Sequence, residues 1–380
     1  MQKILLGLFL VCAMNDKILA SEHDPYSRLV TKTTVRLMKK HKIPGVAIAI
    51  IDHNKSYTYV FGVANNANNT PITNKTIFEV GSITKLFTAL LFTKTAGSLN
   101  IQLNDTLTEY FPELNKNQFL HKVTFEKLLT HTSGLPHNAP ETIAKSYQVL
   151  DYLLHWEPIN AIGTRWQYSN IGIGLVGMIL QNKSHRTINQ LYKEQILEPL
   201  GMNPIGVEID KNFLPELAQS YLEDGKTAPN FFDTQEPYPS AWGLKASIKD
   251  MSCFLRAAIG LNISQDLRQA MQNTQTPRLM VGNMQQGLVW RIHSIQNKTL
   301  LYEADKMDLG LLPIKWLSKK QQVFCANKLI DKTGAHNGFR SYIAVIPSKQ
   351  LGIVILLNKS ISLGLITNVG RKIIFSKNKD

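Results

Sequence analysis

The chain has 380 residues, of which 44% are hydrophobic and 18% are charged. It can therefore bury a large core, and it is not of the disordered or low-complexity type. Lysine and arginine total 42 against 28 aspartate and glutamate residues, a formal net charge of +14, which alone allows a nucleic acid, a membrane surface or another anionic polymer as partner. Three cysteines are too few for a disulfide-stapled scaffold, and paired C-x-x-C motifs of a zinc ribbon are absent.

The first twenty residues have the pattern of a secretory signal peptide. Lys3 is the only early charge, residues 4–14 are almost wholly apolar, and Ala20 is a small residue suited to a cleavage position. The apolar run is too short for a bilayer anchor, and an N-terminal core helix is the alternative. Cleavage removes Lys3, Lys17 and Asp16, which leaves 42 − 2 = 40 basic and 28 − 1 = 27 acidic residues, or +13 on 360 residues. We therefore predict 1–20 as a signal peptide, a periplasmic location and no membrane anchor after cleavage.

One compact unit is expected after the signal segment, because neither a repeat nor a Pro-rich linker interrupts the chain. Apolar residues at helical spacing predict a helix over 26–42, which Pro44 and Gly45 end. Two β-rich runs, 46–51 and 57–61, are separated by turn residues and predict a hairpin.

The C-terminal third repeats this type of structure. Runs 341–347 and 351–357 predict two further strands, and an apolar helix or strand follows through Ile373. Strands at both ends with helices between them predict an α/β (α+β) fold, in which an antiparallel sheet built from both chain ends is flanked by helices beside a mostly helical region. We place the sheet region at about 25–80 and 285–380 and the helical region at about 81–284, within one catalytic domain over 21–380. Cys253 lies in a helical stretch and Cys325 in a strand-like one, and nothing in the sequence predicts that they pair.

A Ser-x-x-Lys pattern opens one of the predicted helices. Ser82 precedes an apolar stretch, so backbone N–H groups and the helix dipole are expected to stabilise negative charge near its hydroxyl. Lys85 lies one turn further on, on the same helix face, with its amine in reach of that hydroxyl. A capping serine followed by a surface lysine is the alternative for this motif alone.

Two further tripeptides make the pattern specific. Tyr168-Ser169-Asn170 precedes a Gly-punctuated apolar run, and Lys332-Thr333-Gly334 follows a strand-like region at 322–324. Each could be an ordinary turn, but all three motifs in this order serve one mechanism of nucleophilic catalysis. His131 with Ser133 invites a second triad interpretation, although that segment has the pattern of a structural turn.

These residues resemble the serine β-lactamase and penicillin-binding-protein superfamily, over nearly the whole mature chain from about 44 to 359. The tyrosine-led second motif and the mature length resemble class C β-lactamases. The resemblance implies hydrolysis of the β-lactam amide bond of penicillins and cephalosporins, and hence β-lactam resistance. It also implies a small-molecule substrate, no metal or other cofactor, no nucleic acid partner and a monomer.

The resemblance also implies the role of each site residue. Ser82 would form an acyl-enzyme, Lys85 and Tyr168 would share the work of the base, and the ammonium groups of Lys85 and Lys332 are expected to lower the tyrosine pKa. The backbone N–H groups of Ser82 and Ala335 would bind the oxyanion. The implied substrate-binding residues are Asn170, Thr333, Gly334, Ala335 and Glu157, with Gly334 allowing close approach of the substrate to the strand edge.

Several positions depart from the family pattern. Glu157 stands where a glutamine is usual, Asp331 replaces a histidine and Trp242 a tyrosine, and residues 360–363 lack the usual Asn and Arg contacts to the substrate carboxylate. These departures leave the substrate spectrum open. Alternatives are a low-molecular-weight penicillin-binding protein or D-stereospecific peptidase, a related esterase, and a non-enzymatic binding protein suggested by charge.

Overall fold

The computed structural model describes residues 24–143, 145, 147–203, 206–230, 238–296 and 311–376. The predicted signal peptide, 1–20, lies outside the described residues. The α-helices are α1 (Ser27–His41), α2 (Thr84–Thr95), α3 (Leu107–Tyr110), α4 (Phe125–Leu129), α5 (Gln148–Leu154), α6 (Asn170–Ser184), α7 (Ile188–Tyr192), α8 (Pro239–Trp242), α9 (Ile248–Ile259), α10 (Gln265–Gln275) and α11 (Leu363–Ile374).

The strands follow the predicted arrangement at both ends of the chain. They are β1 (Gly45–Asp52), β2 (Lys55–Asn65), β3 (Thr70–Pro71), β4 (Ile77–Glu79), β5 (Arg165–Trp166), β6 (Ser220–Tyr221), β7 (Thr227–Ala228), β8 (Lys245–Ser247), β9 (Leu279–Val281), β10 (Met284–Gln286), β11 (Arg291–His293), β12 (Leu312–Trp316), β13 (Leu329–His336), β14 (Phe339–Ile346) and β15 (Leu351–Leu357).

The main sheet is antiparallel and joins the two ends of the chain. Its order is β3-β2-β1-β15-β14-β13-β11-β10-β9-β12-β5. Val46 lies opposite Leu357 at the centre, so the first long strand pairs with the last one. The prediction of an antiparallel sheet built from both chain ends is confirmed.

The central strands are buried on both faces, which explains their continuous apolar sequence. On one face of β1, Ala47, Ala49 and Ile51 pack into the larger core with the helical region. On the other face, Val46, Ile48 and Ile50 pack into a second core with residues of α1 and α11. The sheet is therefore a rigid middle layer, which suits it to hold catalytic groups at its edge.

One local prediction is wrong, and one that the sequence left open is decided by the structure. The segment 322–324 is not a strand but follows a 3-10 turn at Lys319–Gln321, because its polar neighbours leave it without a buried face. The last apolar segment, for which helix and strand were both open, is helix α11. Cys253 lies in α9, as predicted, and it and Cys325 are free cysteines.

Within the described part of the chain, the helices are all too short or too polar to cross a membrane.

Candidate active site

A tight turn positions Ser82 between strand β4 and helix α2. Ser82 lies in the 3-10 turn Gly81–Ile83, ahead of the first residue of α2, and is not itself the capping residue. Gly81 has a φ of 54°, a left-handed conformation that favours glycine. A Cβ atom at Gly81 would come within 2.7 Å of the backbone of Ala335. Glycine therefore allows the turn that carries Ser82 to pack directly against the end of β13.

Lys85 lies one turn beyond Ser82, as the motif predicts, and is completely buried. Its Nζ is 3.1 Å from Ser82 Oγ and donates a hydrogen bond to the carbonyl oxygen of Ala241 at 2.7 Å. Burial, and secondly the charge of Lys332, hold the pKa of Lys85 well below its ordinary value. A neutral amine can keep one N–H on Ala241 and direct its lone pair to the serine hydroxyl.

Tyr168 lies between the two motif lysines. The Nζ atoms of Lys85 and Lys332 are 5.0 and 5.1 Å from the centre of its ring. Lys332 Nζ also donates to the Tyr168 hydroxyl at 3.4 Å. The second and third motifs therefore meet at Ser82, as their order along the chain predicts.

The expected lowering of the Tyr168 pKa is wrong in direction. Burial raises this pKa, and the opposing effects of a hydrogen bond with Ser82 and of the Arg291 charge are smaller. Burial also lowers the pKa of Lys332, to about 7, with a further lowering by Arg291 and an opposing effect of Asp331. Because burial favours the uncharged form of both lysines, they stabilise a phenolate less than two full ammonium groups would.

Asn170 begins helix α6, and Ser169 caps that helix by accepting a hydrogen bond from Gly172 N. Asn170 Nδ2 donates to Asn138 Oδ1 at 2.7 Å and lies 3.2 Å from His137 Nε2. Its Oδ1 is buried and has no hydrogen-bond partner among the described residues. Among the described residues, no hydrogen bond joins Asn170 to Lys85. Asn170 instead offers a buried, unused acceptor.

The third motif lies within strand β13. Lys332 and Thr333 are both buried and line the same cavity as Ser82. Lys332 Nζ donates to the carbonyl oxygen of Thr333 at 2.9 Å. Ala335 also lines this cavity, beside the turn that contains Gly81.

Gly334 serves a different contact from the one predicted. A Cβ atom there would lie 2.2 Å from the carbonyl oxygen of Val80 and 2.2 Å from Ser341 Oγ. These atoms belong to the protein interior, and Gly334 is not among the residues that line the cavity. Glycine is therefore needed at this position for packing of β13 against the segment before Ser82, and its side-chain position faces away from a substrate.

Glu157 does not reach the cavity, so its assignment as a substrate-binding residue is not supported by its position. It is exposed and follows the end of α5. The loop after Gly134 instead brings His137 and Asn138 to the cavity wall. The Gly134-Leu135-Pro136 turn that precedes these two polar residues could have indicated them, since such turns often present binding loops.

Asp331 is buried on the sheet face that carries α11. Arg291 Nε donates to it at 2.9 Å and Arg371 Nη2 at 2.6 Å. The Tyr342 hydroxyl donates to the same carboxylate at 2.8 Å. The charge of Asp331 is therefore neutralised inside the protein.

His131 and Ser133 form no catalytic pair. His131 Nδ1 accepts a hydrogen bond from the backbone N–H of Ser169 at 3.3 Å, and its ring lies 4.4 Å from that of Tyr168. Burial holds the His131 pKa well below its ordinary value. Ser133 Oγ accepts from Leu135 N within a local turn. His131 therefore supports the tyrosine, and Ser133 is structural.

Two stacked aromatic rings, those of Trp242 and His336, line another part of the cavity. Trp242, at the end of α8, stacks on His336 with ring centres 4.4 Å apart and planes at 21°. His336 Nδ1 lies within hydrogen-bonding distance of the buried carboxylate of Glu79, which is 2% exposed. The cavity measures about 900 Å³ and is lined in part by Ser82, and its size is suitable for a small organic ligand.

The described residues contain no cluster of three or more histidine, cysteine or acidic side chains that could hold a metal ion.

Fold and site together define a member of the serine β-lactamase and penicillin-binding-protein superfamily. The sequence matches the Beta-lactamase family over residues 30–365. This chain therefore belongs to the Beta-lactamase family.

Relatives in this family are similar along most of their length. A Beta-lactamase of Escherichia coli (strain K12) is 33% identical over 341 residues, which are 87% of this chain and 88% of that protein. A Beta-lactamase of Pseudomonas fluorescens is 31% identical over 341 residues, 88% of this chain and 93% of that protein.

Solved structures show the same fold. A class C beta-lactamase in complex with cefoxitin has a TM-score of 0.87 at 30% identity, over 92% of this chain and 98% of that one. A D-alanine carboxypeptidase from Burkholderia cenocepacia has a TM-score of 0.84 at 28% identity, over 92% of this chain and 99% of that one.

Proposed function

We propose that this protein hydrolyses the amide bond of β-lactams through a Ser82 acyl-enzyme, in the manner of a class C β-lactamase. The observation that carries the proposal is the 3.1 Å contact between Ser82 Oγ and the Nζ atom of Lys85. The pKa of this buried lysine is lowered by desolvation, so it can act as a general base near neutral pH.

Acylation begins with transfer of the serine proton. Lys85 takes the proton as Ser82 Oγ forms a bond to the lactam carbonyl carbon. The oxyanion is stabilised by the backbone N–H groups of Ser82 and Ala335, supported by the close packing of Gly81 on Ala335. The carbonyl re-forms as the carbon–nitrogen bond of the ring breaks.

Tyr168 is suited to carry the proton to the leaving nitrogen. Because burial keeps its hydroxyl protonated, Tyr168 donates that proton and regains one from Lys85. Lys332 Nζ, 3.4 Å from the hydroxyl, orients it. In deacylation the same groups act in reverse, since they remove a proton from the attacking water and return one to Ser82.

Asn170 and Thr333 are the proposed contacts to the rest of the substrate. The unused Oδ1 of Asn170 can accept a hydrogen bond from the amide N–H of an acyl side chain. Thr333 lines the cavity beside Lys332, where it can donate to an anionic substituent of the ring. The reaction requires no metal or other cofactor.

The attack by Ser82 is tested with one substitution and a matched control. Ser82→Ala is expected to lower kcat for a chromogenic cephalosporin by at least about 10⁴-fold, with unchanged thermal unfolding. Ser133→Ala alters a serine outside the cavity and should retain turnover. Hydrolysis by Ser82→Ala at the wild-type rate would overturn the assignment of the nucleophile.

A second candidate function is removal of a terminal D-alanine from peptides. It is favoured by the likeness to a D-alanine carboxypeptidase from Burkholderia cenocepacia and to a Beta-Lactamase/D-Alanine Carboxypeptidase from Pseudomonas syringae. Stopped-flow kinetics separates the two functions. Steady turnover of a cephalosporin favours the β-lactamase, whereas a stoichiometric burst followed by a stable acyl-enzyme, with release of D-alanine from a D-Ala-D-Ala peptide, favours the peptidase.

The cellular role follows from the proposed activity and the N-terminal sequence. We propose a monomeric enzyme, exported to the periplasm after removal of residues 1–20, with 21–380 as one catalytic domain. Its small-molecule partners are β-lactams, and its expression should raise the resistance of a susceptible host.

A further inference from the structure

Three cationic side chains line the cavity within the described part of the chain: Arg291, Lys332 and Arg340. The substrates of the proposed function carry a carboxylate, so the state of each cation decides which of them can bind it. Arg291 already forms an ion pair with Asp331, at 2.9 Å. Arg371 shares the same carboxylate, so Asp331 compensates only part of the Arg291 charge, but the ion pair holds the Arg291 side chain at the ion cluster.

Lys332 is a poor permanent cation. Its Nζ donates to Thr333 O and to the Tyr168 hydroxyl, and its pKa is lowered to about 7, mainly by burial. Near neutral pH a large fraction of the molecules therefore carries an uncharged amine at this position. A guanidinium, by contrast, stays protonated throughout the working range of an enzyme.

Arg340 is held in place at one edge of the cavity without an ion-pair partner. Its Nε donates to Ile361 O at 3.0 Å and its Nη1 to Phe339 O at 2.7 Å. Both acceptors are neutral carbonyl groups. Its Nη2 makes no hydrogen bond with any described residue, and no described carboxylate forms an ion pair with it. The guanidinium is thus oriented, charged and available.

The strand register directs Arg340 toward the third motif. Ala335 pairs with Arg340, and Thr333 pairs with Tyr342. Directly opposed residues of antiparallel strands share a face, so Arg340 and Thr333 are diagonal neighbours on one face, about 7 Å apart. An arginine side chain can span such a distance.

The segment after β15 lies at the same edge of the cavity as Arg340. Ser362 and Leu363 line the cavity, and Ser362 is the capping residue of α11. The positive end of that helix dipole adds to the charge of Arg340. These residues supply no cation of their own, so the charge at this edge comes from strand β14.

We propose that Arg340 is a specificity-determining residue that binds the carboxylate of the substrate, an inference that rests on the proposed β-lactam hydrolysis. The Nη2 group donates to one carboxylate oxygen while Thr333 contacts the same group from the neighbouring strand. Glu223, which is exposed at the same cavity, lies near Arg340 and weakens its pull on an anion.

The test compares a chromogenic cephalosporin that has a free carboxylate with the methyl ester of the same compound. The measured quantity is the ratio of the two kcat/KM values, acid over ester. Arg340→Gln is expected to lower this ratio about 10- to 100-fold, the range for loss of a charged hydrogen bond. Glu223→Gln is expected to raise it about twofold, because it removes a nearby negative charge.

Arg256→Gln is the matched control. Arg256 also donates to a backbone carbonyl, Asn54 O, at 3.0 Å, and it does not line the cavity. Arg256→Gln removes the same charge as Arg340→Gln, but outside the cavity, so the acid-over-ester ratio should stay at the wild-type value. Thermal unfolding of each variant confirms that the fold is retained.

An unchanged ratio in folded Arg340→Gln, or equal changes in Arg340→Gln and Arg256→Gln, overturns the proposal. Failure of the proposed function gives a different result, because wild-type protein then turns over neither compound. In that case, the rates of Ser82 acylation by the acid and the ester, measured by intact-protein mass spectrometry, give the same ratio and decide the role of Arg340. If Arg340→Gln does not fold, the acid-over-ester ratio of Glu223→Gln decides. A ratio that stays at the wild-type value contradicts the proposal.

Discussion

Burial, more than neighbouring charge, sets the chemistry of the individual site residues. Lys85 and Lys332 are both removed from water, and desolvation is the largest cause of the lowered pKa of each. Burial favours the uncharged form of a lysine and also that of a tyrosine. The same environment therefore makes Lys85 a base and keeps Tyr168 a proton donor.

The burial of Lys332 has a measurable cost in stability. Its pKa falls from 10.5 to about 7 on folding, so between these values the unfolded chain binds more protons and stability rises with pH. Below pH 7 both states are protonated and the full cost of the buried charge is present. Lys332→Met is therefore expected to raise the free energy of unfolding by roughly 4 to 5 kcal/mol at pH 6, with a smaller gain at pH 10.

Urea denaturation at the two pH values measures this difference. An equal effect of Lys332→Met at pH 6 and pH 10 would contradict the lowered pKa. Lys359→Met is a suitable comparison, because Lys359 is also buried but lies beyond the catalytic motif. Lys332→Met should lower activity while it raises stability, since Lys332 contacts the Tyr168 hydroxyl.

At this scale the sequence was most informative where motif spacing is local. Ser82 and Lys85 are three residues apart in one helical turn, so their contact follows from helix geometry. The binding residues contributed by loops were harder to predict. The resemblance implies Glu157 but gives no indication of His137 or Asn138, because sequence position alone does not show which part of a long loop turns inward.

At the scale of elements, the turn Gly81–Ile83 links the nucleophile to strand β13. Gly81→Ala would place a methyl group 2.7 Å from the Ala335 backbone and impose a side chain on a left-handed residue. We expect kcat to fall about 10²-fold, as for a damaged oxyanion site, with a loss of about 2 kcal/mol in stability.

Gly97→Ala provides the comparison for this turn. A Cβ atom at Gly97 would meet nothing within 4 Å, so both kcat and unfolding should stay close to wild type. Steady-state kinetics and thermal unfolding of the two variants measure the difference. Similar results for both would show that the packing of Gly81 on Ala335 is unimportant.

A second contact between elements is the ion cluster that joins β11, β13 and α11 around Asp331. Asp331→Asn removes the carboxylate that accepts from Arg291 and Arg371 and leaves two buried guanidinium groups without their partner. We expect a loss of about 3 to 5 kcal/mol in stability. Asp266→Asn breaks an exposed pair with Lys94 and should cost less than about 1 kcal/mol. Equal losses in urea denaturation would contradict the importance of the cluster.

Strands with long apolar runs could be predicted from the sequence, whereas short segments with few hydrophobic residues could not. Strands β1, β14 and β15 are buried along most of their length, and continuous apolar runs identified them. The error at 322–324 arose from a short polar segment with two hydrophobic residues, for which no tertiary partner can be read from the sequence. Asp331 shows the same limit, since its partners come from residues 40 positions away in either direction.

At the scale of the whole molecule, the N-terminal sequence makes a prediction about size and location. Expression of the full gene in a bacterial host should give a periplasmic protein that begins at Ser21, since cleavage is expected after Ala20. N-terminal sequencing and intact mass of the periplasmic fraction measure this. An uncleaved, cytoplasmic product of 380 residues would contradict the predicted signal peptide.

Only a small part of the basic character of the chain has a local role in the described structure. The buried lysines and the cavity arginines account for a few of the 42 basic residues, and they serve the site or the ion cluster. The net charge by itself allows a polymer partner, whereas the cavity is suited to a small anion.

The pairing of β1 with β15 determines when activity can arise during synthesis. Residue 46 must find residue 357 before the centre of the sheet exists, and β14, which supports the catalytic strand β13, pairs with β15 as well. Contacts so distant along the chain form slowly and late in folding. A nascent chain therefore holds all three catalytic motifs by residue 334 yet lacks the frame that brings them together, so catalysis begins only after the final strand has been made.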